Sequence, residues 1–346
     1  MHALIATVIK LAMRTFLHCA ILWIFSVSSL YGAVTPERIA VIVNKNDAKS
    51  LEIASYYQQK RKIPDENIIR VAFPVTGSMG SHLFSLLRQQ IYAQTPDHIQ
   101  FYVLAWSKPY KVACMSITSA MTLGFDRKYC AHDCTPTAPN IYFNSNSSSP
   151  YDDFQIRPTM MLAGYNVQNI KAMIDNGVQS DGTFPEGTAY LVSTTDTARN
   201  VRSYVYENVK AAFSKRIAIE IVESDALSEK QDVLFYFTGK AEVDELKTNR
   251  FLPGAIADHL TSSGGVLFGE HQMSILHWLD AGATASYGTV TEPCAFPQKF
   301  PHPGIVIDRY TRGESLIEAY WKSVAWPGQG LFVGEPMAAP FYDKRN

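Results

Sequence analysis

Between residues 264 and 294 the chain collects side chains able to do acid–base and nucleophilic chemistry: Glu270, His271, Thr289, Glu292 and Cys294. Apolar runs at 266–268 and 283–287 read as buried strands feeding functional loops. In the catalytic reading, a helix over 274–279 separates His271 from Cys294, and parallel neighbouring strands bring both to one sheet edge. The imidazole would take the thiol proton and raise the thiolate fraction. Backbone N–H groups of Thr289, Val290 and Thr291 would face an oxyanion, and Glu270 or Glu292 would orient the histidine.

Each residue also has a plainer reading. Cys294 closes a disulfide to Cys114 or another thiol, and His271 is a hydrogen-bonded loop histidine. His277 and Trp278 read as packing residues beside a helix. Asp258 and His259 are either polar groups of a second site or the cap of the segment after Pro253-Gly254. Ser286 lies inside a strand and not at a nucleophile elbow. The paired Asp152 and Asp153 read as surface aspartates before they read as acid and base.

These residues need a scaffold, and the pattern supplies one. Strand and helix signals alternate: strands at 38–43, 67–73, 99–105, 188–192, 217–222 and 233–237, with helical periodicity between them. Such alternation implies an α/β three-layer sandwich with a mainly parallel sheet and right-handed crossovers, caspase/gingipain-like or flavodoxin-like. Ligands then collect at the carboxyl ends of the strands, here the loops after about 237, 269 and 288. Lys60-Arg61-Lys62 falls at a helix end, where cations suit the dipole. The turn Gly77-Ser78-Met79-Gly80 lacks a Walker lysine and a full glycine fingerprint, so it carries no nucleotide signal. From 108 to about 160 the alternation stops. An insertion of that length reads as a lid, a binding loop or a partner surface.

Bulk composition narrows the class. The chain is 47% hydrophobic and 18% charged, a globular balance. With 31 basic and 32 acidic residues the net charge is −1, which leaves no field for nucleic acid or an anionic membrane. Lys10 and Arg14 precede an apolar run at 16–27 that ends in Ser28, Ser29, Gly32 and Ala33, the order of a signal peptide. The expectation is a signal at 1–33, with Met13 as an alternative start. One α/β domain would follow at 34–346, exported to the periplasm or secreted, and not an integral membrane protein after cleavage. Of five cysteines, Cys19 lies in that signal, leaving Cys114, Cys130, Cys134 and Cys294 for two disulfides in any of three pairings. The run Cys130-Ala-His132-Asp133-Cys134 lacks the second ligand pair of a zinc site, so no metal and no cofactor is expected.

Several runs together resemble a known family. Asn-Lys-Asn-Asp at 44–47, Tyr-Tyr followed by Arg-Lys-Ile-Pro at 56–64, Thr-Ala-Tyr-Leu-Val at 188–192, Ser-Tyr-Gly-Thr-Val-Thr-Glu-Pro-Cys at 286–294 and Phe-Val-Gly-Glu-Pro at 332–336 look like the uncharacterised exported bacterial proteins found alongside the exosortase/PEP-CTERM sorting system. The resemblance covers the chain beyond residue 33 and implies an envelope location, but no activity. Where many members carry Arg-Leu-Asp-Gly, this chain has Met161-Leu-Ala-Gly164. More distantly, the strand order and the Gly-Ala-Thr-Ala-Ser-Tyr-Gly run resemble gingipain-like caspase-fold cysteine peptidases. That branch places His-Gly after one strand and Cys after the next. The matching positions here are Gly239-Lys240 and about Ala257-Asp258-His259, so the resemblance implies a lost dyad. Two functions follow: a noncatalytic or divergent peptidase-like domain acting as a binding or sorting accessory for an envelope protein or peptide, or a thiol-dependent hydrolase using Cys294 and His271. A third reading, saccharide binding, rests only on aromatic content, which core packing also explains.

Overall fold

The computed structural model describes residues 34–131 and 134–343. The expected signal peptide, and His132 and Asp133 of the cysteine-rich run, lie outside the described residues.

The first apolar run forms β1 (Ile39–Asn44), every residue of which is buried, and Asp47 caps the following α1 (Ala48–Arg61) by accepting from the Lys49 N–H. β2 (Ile68–Val71), β3 (Ser78–Met79), α2 (Ser81–Gln94) and β4 (Phe101–Leu104) follow. The interrupted region holds β5 (Lys111–Val112), β6 (Met115–Ser116), α3 (Ile117–Leu123) and α4 (Pro150–Phe154), and β3, β5 and β6 make a small separate sheet. Alternation resumes with β7 (Thr159–Met161), α5 (Val167–Ser180), β8 (Thr188–Ser193), α6 (Tyr206–Phe213), β9 (Ala218–Glu223) and β10 (Val233–Thr238). The chain closes with β11 (Phe251–His259), α7 (Leu276–Asp280), β12 (Ala285–Thr289), α8 (Pro303–Thr311), α9 (Leu316–Ser323) and β13 (Gly330–Gly334).

The main sheet has ten strands in the order β2-β1-β4-β7-β13-β12-β11-β10-β8-β9. Strands β2, β1, β4 and β7 run parallel as one group, and β12, β11, β10, β8 and β9 as another. The last strand, β13, joins them: it lies antiparallel to β12, with Val333 opposite Ser286, and reaches β7 through Val333 and Met161. Helices cover both faces. Consecutive residues at the end of β11 show this directly, because strand side chains alternate. Asp258 meets Arg202 and lies beside Tyr320 of α9, whereas His259 meets Trp278 of α7. The α/β sandwich expected from the pattern is therefore the observed fold.

Two expectations change. Residues 266–268 are not a strand. Leu267 alone drops into the core while Phe268 is 39% exposed, so the apolar run is a loop with one anchor. The strand that feeds this loop is β11, whose Pro253 and Gly254 fall where its register against β10 shifts, between Val233 and Phe235. An irregularity in the ladder is a place where a strand tolerates proline and glycine.

Candidate functional site

The carboxyl ends of β8, β10, β11 and β12 lie along one edge of their parallel group, at Ser193, Thr238, His259 and Thr289. The candidate residues of the sequence converge on this edge, but not as a catalytic pair. Cys294 is bonded to Cys134, and Cys114 to Cys130. A sulfur in a disulfide has no proton to give and no thiolate to offer, which is the correction to the nucleophile expected at Cys294. His271 is exposed and makes no hydrogen bond to Cys294 or Glu270. Glu292 turns to the backbone, its Oε1 accepting from the Cys294 N–H at 2.7 Å. The expected oxyanion donors are not all free, since the Val290 N–H donates to Gln329 O at 3.0 Å. Thr289 is buried and its hydroxyl donates to Thr261 O at 3.1 Å and Ser262 O at 3.0 Å, holding the loop after β11 against β12.

The disulfide at Cys294 ties the insertion to the loop after β12, and a lysine doubles the tie. Lys299 is buried, donating to Thr135 O at 2.9 Å and to Pro293 O at 2.8 Å. Burial pushes its ammonium below the usual lysine range. Cys130 and Cys134 thus belong to different bridges, and their thiols do not form a joint chelate.

Asp258 and His259 are fully buried and belong to the sheet rather than to a cap. Arg202 Nη1 stands 2.6 Å from Asp258 Oδ1, and Arg202 also donates to Thr238 O at 2.6 Å and Pro301 O at 3.2 Å. Burial lifts the Asp258 carboxyl to about 6, with the Arg202 charge opposing that rise. On the other face His259 Nδ1 accepts from Trp278 Nε1 at 2.9 Å, and Nε2 lies 3.0 Å from Met273 O. Only the neutral tautomer with hydrogen on Nε2 satisfies both partners. Burial pushes this imidazole down to about 3. At 257–259, the second of the two positions where the peptidase resemblance puts its dyad, there is accordingly an aspartate paired with Arg202 and a neutral histidine with both ring nitrogens hydrogen-bonded. The backbone of Arg199 also crosses Gly239 so closely that a Cβ there would sit 2.0 Å from the Arg199 carbonyl oxygen. That position admits no side chain without moving the backbone.

Beyond these ends a cleft of 730 Å³ opens between the loops after β10 and β11. Glu242, Asp244, Glu245 and Glu270 line it with Lys247 and His277. Its lysine is already paired, with Asp280 at 2.8 Å, and among the described residues the only ion pair of Asp244 is the long contact to Lys240 at 3.8 Å. The cleft wall therefore carries excess negative charge. Sequence reasoning placed Glu270 here but missed Glu242, Asp244 and Glu245. The acidic run 242–245 after an apolar strand was its visible signal.

Asp152 and Asp153 lie elsewhere, in α4, and serve the insertion: Asp152 Oδ1 accepts from Gln100 Nε2 at 3.2 Å and Asp153 Oδ2 from Ser147 Oγ at 2.5 Å. Ser286 is buried within β12. Among the described residues no helix is long and apolar enough to cross a membrane.

No protein-family model matches the chain, and no curated protein matches it in sequence. A solved structure described as "Structure of Protease" is similar at 9% identity with a TM-score of 0.42, over 89% of this chain and 79% of that one.

Proposed function

We propose that the chain is a single exported α/β domain of peptidase-like ancestry that binds rather than cleaves, and that it holds a basic segment of a peptide or envelope protein in the acidic cleft. The observation that carries this reading is the cleft itself: Glu242, Asp244, Glu245 and Glu270 converge there, at the strand ends where α/β sheets collect ligands. A concave wall of one sign raises the local concentration of opposite charge. The two disulfides support an oxidising, exported setting. The thiol-hydrolase alternative needs a free thiol at Cys294 and gains no support from a sulfur bonded to Cys134.

The test is fluorescence anisotropy of a labelled Lys/Arg-rich peptide and a charge-reversed control, with the purified protein in low and moderate salt. Binding of the basic peptide alone, weakened at least tenfold when Glu242, Glu245 and Glu270 are all changed to Gln, is expected. Equal binding of both peptides, or none, would sink the reading, as would peptide cleavage that disappears in Cys294→Ser.

A further inference from the structure

A second cavity, of 280 Å³, opens over the carboxyl ends of β1, β4 and β7 and shares no lining residue with the acidic cleft. Its floor is apolar, built from Ile53 of α1 and Val167 and Ile170 of α5, all buried. Phe268, carried in by the loop after β11, lines it while remaining 39% exposed. An aromatic ring left open at a cavity mouth is a surface for a ligand's apolar part.

The polar side of this cavity is cationic. Lys49 and Lys108 both line it, and neither enters an ion pair among the described residues. The Lys108 ammonium sits 4.4 Å from the centroid of the Phe268 ring, so cation and apolar wall adjoin. The one carboxylate in the lining, Asp47, commits its Oδ1 to the Lys49 N–H at 3.0 Å as a helix cap. The starts of α1 and α5, each 14 residues long, add partial positive charge to the same wall.

We propose that this cavity binds a small ligand bearing one carboxylate on an apolar body. The anion sits between Lys49 and Lys108, and the apolar part rests on Ile53, Ile170 and Phe268. The volume admits a body of about one amino-acid residue, not a folded partner. This proposal does not rest on the acidic cleft, and the two fail separately.

Calorimetric titration of the purified protein with N-acetyl-leucine, N-acetyl-leucinamide and inorganic phosphate tests it. The free acid is expected to bind, the amide at least tenfold more weakly. Lys108→Met, Lys49→Met and Phe268→Ala, each with an unchanged unfolding midpoint, are expected to weaken the acid by tenfold or more. Four results overturn the proposal: equal binding of acid and amide, unchanged affinity in both lysine variants, phosphate binding as tightly as the acid, or no binding of the acid at millimolar concentration.

Discussion

Trp278 Nε1 donates to His259 Nδ1 at 2.9 Å, with both rings wholly buried. A second proton on this imidazole would set two N–H groups against each other in a medium that also penalises its charge. The unfolded histidine titrates near 6.5 and the folded one near 3. Because the folded value is depressed, the neutral histidine's contribution is complete above 6.5 and is lost as pH falls toward 3. Linkage gives a loss of about 2 kcal/mol between pH 7 and pH 5 from this group. Urea unfolding of wild type and His259→Asn at both pH values measures it. The variant is expected to be less stable at pH 7 by about 1–3 kcal/mol, and to lack the acid-dependent part of the loss.

Asp258, its neighbour on the opposite face, runs the other way. Its carboxyl is raised by burial from 3.8 to about 6, so between those values the fold takes up a proton that the unfolded chain does not. This group therefore adds stability on acidification, about 1 kcal/mol between pH 7 and pH 5. In Asp258→Asn that gain is expected to vanish from the same unfolding series. Arg202→Met should cost about 3–5 kcal/mol, because it strands a buried carboxylate. An Arg202→Met protein as stable as wild type would show that the pair is not held as described.

Much of this architecture was legible because apolar runs carry it. β1, β4, β8 and β10 are fully or almost fully buried along their length, so their continuous hydrophobicity marks them without any partner being known. β11 escaped because Pro253 and Gly254 interrupt it where the ladder is irregular. The run at 266–268 imitated a strand because one leucine needed the core. The placement of β13 between the two parallel groups could not be read, since the sequence Gly-Leu-Phe-Val-Gly specifies a strand but not its neighbours. The site was half legible for the same reason: local chemistry marked Cys294 and Glu270, but pairing with Cys134 is a matter of a partner 160 residues away.

Arg61 shows how far such partners reach. The helix-end reading suits Lys62, but Lys60 pairs with Asp175 at 2.6 Å, and Arg61 is buried and donates through Nε to Glu335 Oε1 at 3.0 Å, with a further ion pair to Asp181. Tyr57 also donates to Glu335, at 2.9 Å. The Glu335 side chain passes Gly177 of α5 so closely that a Cβ there would meet its Cγ at 2.6 Å. Gly177→Ala is expected to destabilise the protein despite alanine's better helix propensity, by about 1–3 kcal/mol through overpacking. Thermal unfolding decides the sign. A stabilised variant would mean that Glu335 can move aside.

Cys294 provides the sharpest separation of structure from catalysis. Peptide mapping of the unreduced protein after alkylation is expected to return Cys134 linked to Cys294 and Cys114 linked to Cys130, with neither pair alkylated. Removing the longer bridge by a Cys134→Ser, Cys294→Ser double change releases a closed loop of 160 residues and should cost about 2–5 kcal/mol. Lys299, bonded to carbonyls on both sides of that bridge, is expected to keep the insertion docked, so that basic-peptide binding persists below the new midpoint. Loss of binding in a variant still folded by circular dichroism would make the bridge part of the binding surface. Rapid alkylation of Cys294 in the wild-type protein would instead return the thiol to chemistry and reopen its pairing with His271.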